Sequence, residues 1–311
     1  MSVSVTTRDF APFGKCVVIS NGDAEAVVTV DVGPRIISFS AFGGESFLFA
    51  DTELRVTVDD PRIKAAFGKE LYHFYGGHRL WWTPERIPET YAPEDDPVSW
   101  AATARGAIFI PKKHPTGMVY SIELKMAETG AHMDIIQTVR NESGEDCTLA
   151  PWSITQCRGG GVAVAPQNTR QCAPLPNRTI VHWPYNDMQD NRFVTASRYI
   201  TLRHDANANG PFKFGMNNEG GWCGYLLDGQ LLRKAITFDP DAVYADYGCN
   251  FESYTDANAL EIEALGALVT IADGDSTTLC ESFDVIPYAE ALPEIGTDAF
   301  ADFVDALNSS I

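Results

Sequence analysis

Histidine, arginine, tryptophan and glutamate side chains are concentrated in one short stretch, residues 71–85, that contains two consecutive glycines. Glycine permits backbone angles and close approaches that other residues resist. Tryptophan rings offer flat apolar faces to the C–H side of a pyranose, while arginine, histidine and glutamate can hydrogen-bond hydroxyls or transfer protons. The stretch therefore predicts a sugar site, and the alternative is a buried aromatic turn in which Arg79 and Glu85 only pair. The candidate residues are His78, Arg79, Trp81, Trp82 and Glu85.

Two later regions also contain polar and aromatic residues that could bind or convert a ligand. The first contains Trp152 and Gln156, and the second contains Glu252, Glu261 and Glu263. Glu261 and Glu263 are two residues apart on a predicted strand, so their side chains point to the same face. On a solvated surface such a pair is ordinary, whereas inside a concave site each carboxylate raises the pKa of the other and favours a base poised near neutrality. The sequence leaves both interpretations open.

The net charge limits the partners that can be expected. The chain of 311 residues has 23 basic and 42 acidic residues, a net charge of −19, which opposes binding to nucleic acid or to an anionic membrane. We therefore expect a small-molecule carbohydrate as the partner, with no nucleic acid and no membrane. An anionic sugar would need a local cluster of basic residues. Candidates for such a cluster are Arg35, Arg79, Arg86, Lys112 and Lys113.

The sequence predicts a cytoplasmic protein without a metal or another cofactor. Its first residues lack the basic region and apolar run of a secretory signal, and no stretch approaches the roughly 18 apolar residues of a membrane span. The seven cysteines are scattered singly, which is typical of reduced thiols. No CxxC pair occurs, and the spacing of His73, His78 and Glu85 matches no known set of metal ligands. The acidic loop at 88–97 lacks the ligand spacing of an EF-hand, so a solvated loop is favoured there over a calcium site.

Strand patterns fill almost the whole chain. An Asn-Gly pair at 21–22 predicts a hairpin, and apolar residues alternate along 118–126 as in a strand covered on one side. Helical periodicity is almost absent before residue 290, and one helix is predicted at about 297–308 with Thr297 as its N-cap. We expect an all-β fold of about fifteen or more short strands, with this short C-terminal helix docked on it. No repeat or linker indicates a boundary, so residues 1–311 are predicted to form a single domain.

The order of the motifs resembles the galactose mutarotase-like, or aldose 1-epimerase, superfamily of β-supersandwiches, and more closely a bacterial branch of it. The motifs that carry the resemblance are Gly-Pro-Arg-Ile at 33–36, Gly-Gly-His-Arg-Leu-Trp followed by Pro-Glu at 76–85, Trp-Ser-Ile-Thr-Gln at 152–156 and Leu-Glu-Ile-Glu at 260–263. They lie within a region of roughly residues 15–287. The resemblance implies the β-supersandwich fold of that superfamily.

The resemblance also implies a base. In mutarotases a glutamate in a Leu-Glu-Thr-Gln-like strand removes the proton of the anomeric hydroxyl, and a histidine protonates the ring oxygen. The similar segment at 260–263 makes Glu261 the base and places Glu263 where the family has glutamine. We expect Arg79 and Arg35 to position sugar oxygens. The aromatic platform is predicted to consist of Trp81, Trp82 and Trp152.

The residue that would protonate the ring oxygen departs from the family pattern. The mutarotase histidine lies in an Asn-His-X-Tyr-Phe-Asn segment, and the corresponding residues 150–155 contain no histidine. His78 is the candidate acid from another strand, because the ordinary histidine pKa of about 6.5 suits proton transfer near neutral pH. His182, beside a tryptophan, is the weaker candidate.

The function predicted first is a sugar mutarotase or epimerase-like enzyme, an aldose 1-epimerase-like isomerase. The missing histidine supports the alternative of a non-catalytic sugar-binding or sensing protein on the same fold. A third hypothesis is an interaction protein in which the aromatic and charged cluster forms a subunit contact. The sequence identifies neither the sugar and its charge nor the oligomeric state.

Overall fold

Antiparallel strands dominate the structure, a computed structural model that describes residues 2–310. The first twelve strands are β1 (Ser4–Phe10), β2 (Gly14–Ser20), β3 (Ala24–Thr29), β4 (Ile36–Ala41), β5 (Thr57–Val58), β6 (Tyr72–His73), β7 (His78–Thr83), β8 (Ser99–Thr103), β9 (Gly106–Ile110), β10 (Met118–Met126), β11 (His132–Asn141) and β12 (Cys147–Arg158). The others are β13 (Val162–Pro166), β14 (Ile180–His182), β15 (Phe193–Thr195), β16 (Tyr199–Arg203), β17 (Phe212–Met216), β18 (Trp222–Leu227), β19 (Gln230–Ala235), β20 (Phe251–Thr255), β21 (Ala259–Leu265), β22 (Val269–Ile271) and β23 (Ser276–Pro287). The helices are α1 (Pro61–Phe67), the 3-10 helix η1 (Glu89–Tyr91), α2 (Ala245–Gly248) and α3 (Asp298–Asn308). The predicted all-β class is confirmed.

The strands form two large sheets and one small one. The eleven-stranded sheet has the order β1-β2-β3-β4-β7-β12-β21-β20-β17-β14, with β22 paired to β12. The ten-stranded sheet has the order β15-β16-β13-β18-β19-β23-β11-β10-β9-β8, and β5 pairs with β6. The hairpin predicted at the Asn-Gly pair joins β2 to β3. Strands β7, β12 and β21, which contain most of the predicted site residues, are direct neighbours.

The main hydrophobic core lies between the two large sheets. In β10 every second residue from Met118 to Met126 is buried and the residues between them are half-buried, as the sequence pattern predicts. The core contains residues of both sheets, such as Phe39 of β4 and Phe283 of β23, whose ring centroids are 5.6 Å apart. Burial of these apolar faces against each other holds the two layers together.

Two consecutive glycines set the entry into β7. Gly76 and Gly77 have φ angles of 82° and 73°, in the left-handed region that favours glycine. A Cβ atom would lie 2.3 Å from the carbonyl oxygen of Phe49 at Gly76, and equally close to that of Ile36 at Gly77. Only glycine fits both positions without a clash, so the pair fixes where β7 begins and which of its side chains point to each face.

The predicted C-terminal helix is also confirmed. Thr297 caps α3, since its Oγ1 accepts a hydrogen bond of 3.2 Å from the backbone N–H of Phe300. Phe300 and Val304 pack with Trp222 and Leu231 against the face of the ten-stranded sheet that points away from the core. Within residues 2–310, none of the helices has the length and apolar character needed to cross a membrane. The single domain stays a prediction.

The short helix α1 is not predicted by the sequence analysis. Asp60 accepts a hydrogen bond of 2.8 Å from the N–H of Arg62, and Pro61 occupies the start of the helix. An Asp cap followed by proline is a helix-start pattern, but the helix is too short to show periodicity. Helix α1 contributes Ile63 to a cluster of apolar residues around Trp81 and Trp152.

Candidate functional site

A cavity of about 300 Å³ lies on the outer face of the eleven-stranded sheet, the face that points away from the ten-stranded sheet. Its floor comes from the central strands, because alternate residues of β7 and β12 point outward. Arg79 and Trp81 of β7 lie beside Trp152 and Gln156 of β12, and Glu261 of β21 follows. Aromatic walls are supplied by Phe74, Tyr91, Trp183 and Tyr185.

A row of three polar side chains crosses the floor from β7 to β21. Nε2 of Gln156 donates a hydrogen bond of 2.7 Å to Oε1 of Glu261. The guanidinium of Arg79 lies over the rings of Trp81 and Phe74, 4.3 and 5.0 Å from their centroids. Nε and Nη1 of Arg79 and Oε1 of Gln156 are buried without a hydrogen-bond partner among residues 2–310. The row therefore presents unused donors on Arg79 and an unused acceptor on Gln156, beside the carboxyl group of Glu261.

Lys213 continues the floor beyond Glu261, and two glutamates, Glu252 and Glu263, are buried behind it. Nζ of Lys213 lies 2.7 Å from Oε2 of Glu252 and 3.0 Å from Oε2 of Glu263. The same ammonium is 5.0 Å from the ring centroid of Trp152 and 4.8 Å from that of Trp183. We call the polar residues of the floor, together with the two glutamates that contact Lys213, the cavity cluster. Its members are Arg79, Gln156, Lys213, Glu252, Glu261 and Glu263.

Burial shifts the proton affinities of the cavity cluster. Burial, together with the charge of Glu263, raises the pKa of Glu261 to about 7, against the opposing effects of Arg79 and Lys213. Burial likewise raises the pKa of Glu252 to about 8, although the charge of Lys213 opposes the change. For Lys213, burial lowers the pKa, but Glu252 and Glu263 outweigh it and hold the pKa well above the ordinary value. Near neutral pH, Glu261 can both accept and return a proton.

A second polar cluster lies on the opposite face of the same strands, between the two large sheets. We call it the inter-sheet cluster, and its members are His78, Gln137, Ser153, Thr155, Lys234 and Glu281. Nζ of Lys234 lies 2.9 Å from Oε1 of Glu281 and donates to the hydroxyls of Ser153 and Thr155. Ser153 and Gln137 donate to the two carboxylate oxygens of Glu281 at 2.7 Å each. Every polar side-chain atom of this cluster is hydrogen-bonded.

His78 belongs to the inter-sheet cluster and is not brought together with Glu261. Its Nδ1 is 2.9 Å from Oγ1 of Thr155 and its Nε2 is 3.1 Å from Oε1 of Gln137. Burial, followed by the charge of Lys234, lowers the pKa of His78 well below its ordinary value. The alternation along β7 explains the position, since His78 and Arg79 are adjacent and must point to opposite faces.

Three further residues named from the sequence lie away from the cavity floor. Trp82 points to the same face as His78 and packs in the core between the sheets. Arg35 is fully buried, where it pairs with Glu94 and donates to the carbonyl oxygen of Phe74 at 3.3 Å. His182 packs edge-on against the rings of Phe193 and Phe212 and does not line the cavity.

Glu85 lies at the cavity wall, where it accepts a hydrogen bond from the hydroxyl of Tyr91. In residues 2–310 it forms no ion pair with Arg79, so the simple Arg79–Glu85 turn considered from the sequence is not what is found. Trp81, Trp152 and Gln156 line the cavity, and their part in a sugar site stays a prediction. In the described part of the chain, no group of three or more His, Cys, Asp or Glu side chains is arranged to hold a metal ion.

The sequence analysis missed several residues of the cavity, above all Lys213. It lies in β17, whose sequence Phe-Lys-Phe-Gly-Met is buried throughout. A single charged residue inside an otherwise apolar strand requires a buried partner, which is the signal that could have identified it. Trp183 and Tyr185 also line the cavity, but nothing in their local spacing indicates that they share a site with Arg79.

Comparison with protein-family models and with curated proteins gives no match. Solved structures do match. A TPR-domain containing protein from Parabacteroides distasonis aligns with a TM-score of 0.61 and 12% identity over 91% of this chain and 49% of that one. A galactose mutarotase-like protein from Lactobacillus casei aligns with a TM-score of 0.57 and 11% identity over 87% and 99% of the two chains. A galactose mutarotase-like protein from Clostridium acetobutylicum aligns with a TM-score of 0.53 and 10% identity over 92% of this chain and 99% of that one.

These likenesses establish the fold. The resemblance to the galactose mutarotase-like superfamily, predicted from the order of the motifs, is confirmed at that level. The chain spans about half the length of the Parabacteroides protein and nearly the full length of the other two. Since a fold can carry many reactions, the reaction has to be argued from the side chains of the cavity.

Proposed function

We propose that the protein binds a sugar in this cavity and interconverts its anomers, with Glu261 as the base. The observation that carries the proposal is the row formed by Arg79, Gln156 and Glu261. A hydroxyl group both accepts and donates a hydrogen bond. Placed in this row, an anomeric hydroxyl accepts from the unused N–H groups of Arg79 and donates to Glu261, and a neighbouring hydroxyl of the sugar can donate to the unused Oε1 of Gln156.

The reaction follows from that placement. Glu261 removes the proton of the anomeric hydroxyl, the bond between the anomeric carbon and the ring oxygen breaks, and the ring oxygen takes up a proton. The product is the open-chain aldehyde, which closes on its other face to give the second anomer. Arg79 stabilises the negative charge that develops on the anomeric oxygen, because its unused N–H donors can hydrogen-bond that atom as the charge forms.

The aromatic residues supply the binding surface. Trp81 and Trp152 contribute the floor, with their ring centroids 5.6 Å apart, and Trp183 faces the cavity from a wall. Flat apolar rings suit the C–H faces of a pyranose. A cavity of about 300 Å³ is of the size that holds a small ligand.

The charges of the floor favour a neutral sugar. Lys213 is already paired with Glu263 at 3.0 Å, and Arg79 lies near Glu261, whose pKa it lowers. A carboxylate or phosphate bound to Arg79 would therefore meet the negative charge of Glu261 once that group is ionised. A hydroxyl meets no such repulsion.

The test is anomer exchange measured by NMR on a panel of free aldoses, uronates and sugar 6-phosphates. Wild type is expected to accelerate exchange of a neutral aldose. Glu261→Gln keeps the size and the hydrogen-bonding capacity of the side chain but cannot accept the proton, so exchange falls by about 10²- to 10⁴-fold. Full exchange by the variant would rule out Glu261 as the base.

The alternative function is a sugar-binding protein without turnover. The observation that favours it is that none of the six histidines, all of which are within residues 2–310, lines the cavity. In that case a sugar broadens its NMR signals with wild type, exchange is not accelerated, and Glu261→Gln leaves the affinity unchanged.

A further inference from the structure

Opening a sugar ring requires a proton donor as well as a base, because the ring oxygen leaves the anomeric carbon and must be neutralised. Among the described residues no histidine lines the cavity, so the donor has to be another group. Two cationic side chains belong to the floor, Arg79 and Lys213. Arginine does not release a proton in proteins, whereas lysine can.

Lys213 has an N–H to spare. An ammonium has three N–H donors, and two are directed to Glu252 and Glu263 at 2.7 and 3.0 Å. The rings of Trp152 and Trp183 lie near the ammonium, at 5.0 and 4.8 Å from their centroids, and restrict where it can move. The side chain is buried and also lines the cavity, so the remaining N–H is available to a ligand there.

We propose that Lys213 donates the proton to the ring oxygen and that Glu252 restores the proton to Lys213. This inference rests on the proposed function, since it names the second proton-handling group of that reaction. Glu261 and the Lys213–Glu252 pair are then the two halves of one acid–base system on the cavity floor.

The protons balance in each direction. On ring opening, Glu261 gains the hydroxyl proton, the ring oxygen gains a proton from Nζ of Lys213, and Nζ takes the proton of the Glu252 carboxyl group across the 2.7 Å contact. On ring closure each proton returns by the same route. No oxidant, reductant or second substrate is consumed.

The spacing of the two halves suits a single anomeric centre. Glu261 and Glu263 are two residues apart on β21, which separates their Cα atoms by about 6.6 Å in a strand. Lys213 pairs with Glu263, and its charge lowers the pKa of Glu261, so the ammonium and the Glu261 carboxyl group are near each other on the floor. The hydroxyl and ring oxygens of an anomeric carbon can lie between two groups so spaced, each within hydrogen-bond reach of one of them.

The surroundings of Glu252 explain how it can hold a proton for Lys213. Burial raises its pKa to about 8, against the charge of Lys213. The charged groups that face it are Lys213, Glu263 and Asp246, and the thiol of Cys249 lies close to it. Lys213 alone binds its proton too tightly to be an effective acid near neutral pH. Because Glu252 returns a proton to Lys213, the two residues together lose a proton at the pKa of the Glu252 carboxyl group.

The first experiment is chemical rescue of Lys213→Ala, with a sugar that wild type exchanges. The variant is expected to bind that sugar, to lose at least about 100-fold in exchange rate, and to recover at least tenfold with methylammonium but not with tetramethylammonium, which has no proton to give. Glu261→Ala is the matched control near neutral pH, since the amine is then almost entirely protonated and the methylammonium ion has no lone pair with which to accept a proton.

Three results would overturn the inference while leaving the base assignment intact: full exchange by Lys213→Ala, equal rescue by tetramethylammonium, or a lost rate that no amine restores. Absence of exchange by wild type would instead overturn the proposed function itself.

Glu252→Gln is the second variant. It keeps the cation of Lys213 in place, so it tests the inference even if Lys213→Ala does not fold. The wild-type exchange rate is expected to rise with pH through about 7, as Glu261 ionises, and to fall above about 8, as Glu252 ionises. Because the amide introduced by Glu252→Gln has no such proton to lose, the variant is expected to be slower and to lack the alkaline fall. If the exchange rate of Glu252→Gln fell above pH 8 as in wild type, Glu252 would not be the group that returns the proton to Lys213.

Discussion

The cavity cluster and the inter-sheet cluster lie on opposite faces of the same strands and differ in how completely they are hydrogen-bonded. In the inter-sheet cluster, Lys234, Glu281 and their neighbours use every polar side-chain atom. In the cavity cluster, buried atoms of Arg79, Gln156, Glu252 and Glu263 have no partner among the described residues.

That difference separates a structural role from a binding role. Leaving a buried polar group unpaired costs about 1–3 kcal/mol, so the protein gains when a ligand pairs the atoms of Arg79 and Gln156, the two of these residues that line the cavity. The inter-sheet cluster has nothing left to offer a ligand, and its hydrogen bonds join β7 and β12 to strands of the other sheet. The inter-sheet cluster thus supports, from the core side, the two strands that carry Arg79 and Gln156.

The largest effect is expected from Lys234→Met in the inter-sheet cluster. The substitution leaves Glu281 buried without its cation, which costs about 3–5 kcal/mol in the free energy of unfolding. Lys125→Met is the matched control, because Lys125 pairs with Glu123 at 3.1 Å on a partly exposed strand face, where such pairs are worth at most about 1 kcal/mol. Urea unfolding measures both, and equal losses would mean that the inter-sheet cluster is not structurally important.

Adjacent tryptophans of β7 give the next comparison. Trp81→Leu removes a ring from the cavity floor and is expected to weaken sugar binding about tenfold, or about 1.4 kcal/mol. Trp82→Leu, on the core face, is expected to lower the free energy of unfolding by about 2 kcal/mol and to leave the affinity unchanged. Calorimetric titration and urea unfolding of both variants test this, and a loss of affinity in Trp82→Leu would contradict the assignment of faces.

A smaller effect is expected from the titration of Glu252. Its pKa is raised to about 8 in the folded protein from an ordinary value of about 4.3 when unfolded, so the folded state binds more protons between these values. Stability from this group is therefore complete below about pH 4.3 and decreases as the pH rises toward 8. Wild type should lose about 1 kcal/mol per pH unit relative to Glu252→Gln between about pH 5 and 7. Parallel stability curves for the two proteins would contradict the buried position of this carboxyl group.

The fold could be predicted from local signals. Alternation along β10, the Asn-Gly turn and the cap of α3 each depend on a few neighbouring residues, and each appears where it was expected. The order of the motifs added the resemblance to the galactose mutarotase-like fold, although no single motif does so.

The site was predicted only in part, because it depends on which face of a strand each residue occupies and on which strands are neighbours. His78, Trp82 and Arg79 were grouped by their closeness in the sequence, yet alternation along β7 separates them. Period-two alternation applied to 78–83 would have divided them correctly. Lys213 could not be assigned to the site in this way, since its position beside Glu263 depends on the non-local order β21-β20-β17.

The most direct test of the division between the two faces is the exchange rate of two variants, Glu261→Gln and His78→Gln, measured per folded molecule by NMR on the same sugar. Glu261→Gln is expected to lose about 10²- to 10⁴-fold in rate with little change in stability. His78→Gln is expected to lose about 1–3 kcal/mol of stability and to keep its rate within about threefold. Loss of exchange in folded His78→Gln, with exchange retained in Glu261→Gln, would show that the catalytic groups lie between the sheets and not in the cavity.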